Sequence, residues 1–99
     1  MDDMMQRLMA ALNAGKRRGY DVFREIDGVN FLFQYALKKD NELYVTYFFS
    51  IEELAIDQAD EDGEEEIKEF LDLESALMNL ASHGAEMEKL TAMKRSLPF

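Results

Sequence analysis

The chain has 99 residues, 47% of them apolar, with no cysteine and a net charge of −10. That length organises one core, hence a single domain over residues 1–99, and the apolar and aromatic content is too high for a disordered chain. The absence of cysteine excludes disulfides, thiolate nucleophiles and Cys-ligated zinc, and fits a reducing, cytoplasmic setting.

The stretch MDDMMQRLMAALNAG lacks the basic flank of a signal peptide, and no apolar run approaches the roughly 20 residues that span a bilayer. A soluble chain without membrane contact is expected. Asp2 or Asp3 can cap a first helix whose Met5, Leu8, Met9 and Leu12 recur on one face, and Gly15 ends it. Its methionines suit core packing or an adaptable binding surface. Lys16, Arg17 and Arg18 follow, where a helix dipole favours cations.

YDVFREID then leads into Asp27-Gly28, a strong hairpin signal, and the partner strand VNFLFQYAL places Val29, Phe31, Phe33, Tyr35 and Leu37 on one face. The other face, with Asn30, Leu32, Gln34 and Ala36, is expected to be mostly wet. Lys38, Lys39, Asp40 and Asn41 form the next turn, and ELYVTYFFS is a third strand with apolar residues on both sides. A cover over its second face, or a homodimer contact, would account for that.

Ser50 and Glu53 fit a capping box, which predicts a short helix over 51–58. Its rival is a second hairpin, in which the strand continues through IEELAID and returns as EEEIKEF, adding a strand near 64–70. From Glu64 onward Ile67, Phe70, Leu73, Leu77 and Leu80 trace a helical stripe that ends at Gly84, with a break at Asp72 as the alternative. Met87, Leu90, Met93 and Leu97 outline a last helix before Pro98. The expected fold is α+β: an N-terminal helix, a three-stranded antiparallel meander, then two or three C-terminal helices.

Charge is concentrated in one segment. From Glu52 to Glu74 there are twelve acids against Lys68 alone, a net charge of −11, while the rest of the chain sums to +1. Direct nucleic-acid binding through this segment is therefore not expected, whereas a basic protein surface is a plausible partner. The candidate partner-binding residues are Asp57, Asp60, Glu61, Asp62, Glu64, Glu65, Glu66 and Glu69. As a calcium loop the same stretch places Gly63 at the sixth position, Asp60 and Asp62 at the third and fifth, and Glu66 and Glu69 at the ninth and twelfth. The first ligand would then be Gln58, which lacks the required carboxylate, so no metal site is assigned.

The single histidine, His83, lies beside Gly84 at a helix end, a capping position. No phosphate-binding glycine loop, nucleophile triad or histidine-rich pattern is present, so neither cofactor nor enzymatic activity is expected. In size, charge and element order the chain resembles several small acidic inhibitors, such as toxin-immunity proteins and some anti-CRISPR proteins, that block nucleic-acid enzymes by occupying positively charged clefts. The resemblance implies a nuclease or other nucleic-acid-binding protein as partner; no motif is shared and no residue carries over. The competing expectation is a structural or adaptor domain, homodimeric through apolar surface, whose acids serve solubility.

Overall fold

A computed structural model describes residues 3–54 and 63–93. A helix, α1 (Asp3–Asn13), precedes three strands, β1 (Arg18–Ile26), β2 (Val29–Asp40) and β3 (Leu43–Glu52). After them come β4 (Glu64–Phe70), α2 (Leu73–Ser82), a 3-10 turn (Met87–Lys89) and the short β5 (Thr91–Ala92). The strands form one antiparallel sheet in the order β4-β3-β2-β1-β5.

The class is α+β with an antiparallel sheet, but the expected three-stranded meander followed by two or three helices is corrected. The sheet has five strands, and among the described residues a single α-helix, between β4 and β5, follows the meander. The reason lies in β3, whose Tyr44, Val45, Thr46, Tyr47, Phe48 and Ile51 are all buried. A strand apolar on both faces belongs in a sheet interior, and the meander alone would leave it at an edge. β4 supplies the missing neighbour, pairing Tyr47 with Ile67 and Ser50 with Glu64. As a helix, Glu64–Phe70 would bring Glu65 and Glu69 together at four-residue spacing, where like charges repel. The rival hairpin return is thus the one that forms.

The capping signature at Ser50 is overridden for the same reason. Ser50 is buried inside β3 between Phe33 and Glu64, and the strand continues through Glu52. The helix expected over 51–58 is therefore absent from 51–52, Glu53 and Leu54 take a 3-10 conformation, and 55–58 lie outside the described residues. The break at Asp72 does occur: its Oδ1 accepts the Ser75 amide at 2.7 Å, capping α2 and holding its own carboxyl below the usual range. The last expected helix is replaced by the 3-10 turn and β5, because pairing Arg18 with Ala92 and Gly19 with Thr91 uses the outer edge of β1. Leu97 and Pro98 lie outside the described residues.

Both turns of the meander follow local chemistry. Asp27 (φ 52°) and Gly28 (φ 83°) occupy the left-handed region, as a two-residue hairpin matching strand twist requires. The second turn falls later than expected, at Asn41 (φ 58°) and Glu42, since β2 extends through Asp40.

α1 and α2 pack on one sheet face. Leu8 and Leu12 of α1 and Leu73, Ala76 and Leu80 of α2 cover Phe33, Tyr35, Leu37, Tyr44 and Phe48, with Phe31 and Met5 partly buried beside them. Met9 and Val29, expected in this core, are instead exposed, and Ala11 takes the place of Met9 in the buried face of α1. The other sheet face carries no helix among the described residues, yet it is not wet as expected. Ala36, Val45, Tyr47 and Ile51 on it are no more than 4% exposed, while Phe23 and Ile67 at its margins are 56% and 43% exposed. No described helix is long and apolar enough to cross a membrane.

Candidate functional site

Of the candidate acidic residues, Asp57, Asp60, Glu61 and Asp62 lie outside the described residues. Glu64, Glu65, Glu66 and Glu69 all lie on β4, which is an edge strand. Successive strand residues point to opposite faces, so the run is divided. Glu64 and Glu66 share the helix-covered face with Lys68, while Glu65 and Glu69 flank Ile67 on the other.

This alternation removes the calcium-loop reading. The ninth and twelfth ligands, Glu66 and Glu69, project from opposite sides of one extended strand, whereas a twelve-residue loop must wrap both around one ion. Among the described residues no three metal-ligating side chains converge. Gly63 serves a different purpose from the sharp loop turn. A Cβ there would come within 2.5 Å of the Phe49 ring, so the missing side chain makes room for that aromatic at the start of β4.

The four described carboxylates differ in what holds them. Glu66 is built into the fold: its Oε1 accepts from Asn79 Nδ2 at 3.0 Å and lies 3.1 Å from His83 Nε2, and its Oε2 is 3.5 Å from Lys68 Nζ. The Asn79 hydrogen bond chiefly, aided by the His83 and Lys68 charges and opposed by partial burial, holds its carboxyl below the usual range. Glu65 Oε2 accepts from the Tyr47 hydroxyl at 3.3 Å; burial first, then the neighbouring Glu65 charge, pushes that phenol up to about 12. Glu64 and Glu69 are exposed and make no hydrogen bond or ion pair with a described residue.

Glu66 belongs to a polar seam where the end of α2 crosses the sheet. His83, at the C-cap, stacks on Phe48 with ring centroids 4.1 Å apart and planes at 12°. Asn79 Nδ2 also donates to Thr46 Oγ1 at 3.1 Å. The Tyr35 hydroxyl donates to the His83 carbonyl at 2.6 Å, and Arg24 donates to the Gly84 carbonyl at 2.8 Å while its guanidinium lies over the Phe33 ring. Burial, more than the opposing Arg24 interactions, raises the Tyr35 phenol. One helix end is thereby fastened to β1, β2, β3 and β4.

The sequence places His83 at a helix end but offers no sign of Glu66, Asn79 and Thr46 as its company. Glu66 is 17 residues from His83 and 13 from Asn79, and Thr46 is 33 from Asn79, separations bridged by the sheet. The nearest signal was the return strand EEEIKEF, whose alternation puts Glu66 on the helix side. The chain matches no family model, no curated protein and no solved structure.

Proposed function

We propose that this is a non-enzymatic protein-binding domain of the cytoplasm that presents the acidic segment to a basic protein surface. The partner class is a nucleic-acid-acting protein, such as a nuclease, whose charged cleft the acids would occupy as an inhibitor. The observation that carries this reading is the placement of Glu64, Glu65 and Glu69 on an edge strand, with Glu64 and Glu69 unengaged by any described residue. Carboxylates left out of the fold keep their full field for a partner, and the edge gives them access.

Glu66 contributes differently, since its carboxylate is already hydrogen-bonded within the protein. Its part is to hold β4 against α2, so that neighbouring carboxylates are presented by a fixed strand. A second reading, an adaptor that self-associates, draws on exposed Phe23 and Ile67 at the margins of the sheet face without a described helix.

The test is capture from native lysate. The wild-type chain is compared with a variant in which Asp57, Asp60, Glu61, Asp62, Glu64, Glu65 and Glu69 become Asn or Gln, with Glu66 retained. A basic protein held by the wild type and lost by the variant is the expected result. Equal capture by both removes the recognition role, and concentration-dependent dimerisation without a basic partner favours the adaptor.

A further inference from the structure

Lys16, Arg17 and Arg18 sit near β1, on the other side of the sheet from β4, and with Gly15, Ala92 and Met93 they line a groove of about 500 Å³. The chain has 21 acidic residues against 11 lysines and arginines, yet no carboxylate is among these lining residues. A helix-end role would have the cations hold the last carbonyls of α1. Three of those carbonyls are already taken, since the amides of Ala14, Gly15 and Lys16 donate to Ala10, Leu12 and Ala11 at 3.1, 3.0 and 3.0 Å. This is a backbone-closed helix end of the Schellman type, which needs no side chain.

The opposite wall is also fixed. Ala92 pairs with Arg18, and the Met93 amide donates to the Arg17 carbonyl at 3.3 Å. Arg18 Nη1 donates to that same carbonyl at 3.3 Å, and among the described residues most of its planar fork of donors is left for a ligand. The Lys16 ammonium is exposed and engages no described residue. Arg17 has contacts of its own. The acids of β4 are three strand spacings away, roughly 14 Å, beyond a Debye length of about 8 Å at physiological salt, so their repulsion is largely screened at the groove.

We propose that this groove binds an oxyanion of the phosphoryl class, held by the Lys16 ammonium and the Arg18 guanidinium. A fork and a point charge on neighbouring backbone suit a tetrahedral oxyanion, and the open groove leaves room for the group to which a phosphate is esterified.

The experiment is an NMR titration of the isotopically labelled full chain with inorganic phosphate and, separately, with methyl phosphate, at ionic strength held constant with chloride. Saturable shifts confined to the amides of residues 15–19 and 91–93 are expected for both anions, with none in chloride alone. Lys16→Gln should weaken binding by roughly threefold and the pair Lys16→Gln/Arg18→Gln by tenfold or more, about what loss of charge-assisted hydrogen bonds implies. Unchanged shifts elsewhere would show that both variants remain folded. Shifts that grow linearly and alike in chloride and phosphate would overturn the proposal, as would saturable binding that survives the double substitution. Binding of inorganic phosphate with rejection of the methyl ester would overturn the open-groove assignment.

Discussion

The β4 and β1 sides of the sheet handle charge in opposite ways. β4 carries carboxylates on both faces, one of them tied down by Asn79, His83 and Lys68 and two engaged by no described residue. On the β1 side, Lys16 and Arg18 line a groove without a carboxylate among its described lining residues. Strand order keeps the two apart, with β2 and β3 between them. A net charge of −10 therefore describes neither side, and a partner meets a polar molecule rather than a uniformly acidic one.

The comparison depends on the shared wall of β2 and β3, and removing that wall should have the largest effect. Phe33→Ala is expected to cost about 3–5 kcal/mol in chemical denaturation, because the ring is buried in the core beside Tyr35 and Phe48. A loss below about 1 kcal/mol would contradict its place in the core. Gly63→Val should cost about 1–3 kcal/mol and act on the β4 side alone, since its side chain would enter the space of the Phe49 ring. Hydrogen exchange should then rise in β4 before β1.

Glu66→Gln separates a carboxylate that holds the fold from those that do not. Because the Glu66 carboxyl is held low, its stabilisation is present above the ordinary glutamate range and is lost as pH falls through its folded-state value. The variant should be less stable by about 1 kcal/mol near neutral pH, as loss of a charged hydrogen-bond acceptor implies, and its acid unfolding limb should be flatter. Glu64→Gln and Glu69→Gln, which remove no hydrogen bond to a described residue, should each change stability near neutral pH by less than about 0.5 kcal/mol. At the alkaline end, the Tyr47 phenol should ionise near pH 12 in an ultraviolet titration. Its raised value favours the protonated fold, so this contribution is present below the ordinary tyrosine range and lost as pH rises through about 12. Glu65→Gln removes the adjacent charge and should lower that midpoint, leaving the part due to burial.

The meander was legible because its signals are local: Asp27-Gly28 dictates a turn, and Phe31, Phe33, Tyr35 and Leu37 alternate with the period of a strand. The Asp72 cap was visible for the same reason. β4 was legible only as the rival to a helix and β5 not at all, because what makes them strands is a partner distant in the chain. Ile67, Phe70 and Leu73 satisfy a helical spacing by coincidence, and only the need of β3 for a second neighbour decides against it. The acidic site was visible as composition, but its division into fold-holding Glu66 and outward Glu64 and Glu69 depends on where along β4 Asn79 and His83 of the α2 end sit, since Glu64 shares the face of Glu66 and only Glu66 meets them. The phosphoryl groove was hidden in a basic triplet that reads equally well as an ordinary helix end, until the backbone is seen to close that end by itself.

The central claim is that free carboxylates on the β4 side steer a basic partner. Its most direct measurement is the association rate of the protein captured from lysate, followed as ionic strength rises, for the wild type, for Glu66→Gln and for the seven-residue neutralised variant. The wild-type rate should fall by roughly tenfold or more between low and high salt, as electrostatic steering requires, and Glu66→Gln should follow it closely. The neutralised variant should start slow and respond little to salt. Rates that are the same for all three chains and indifferent to salt would contradict the claim and leave the acids as a solvated surface.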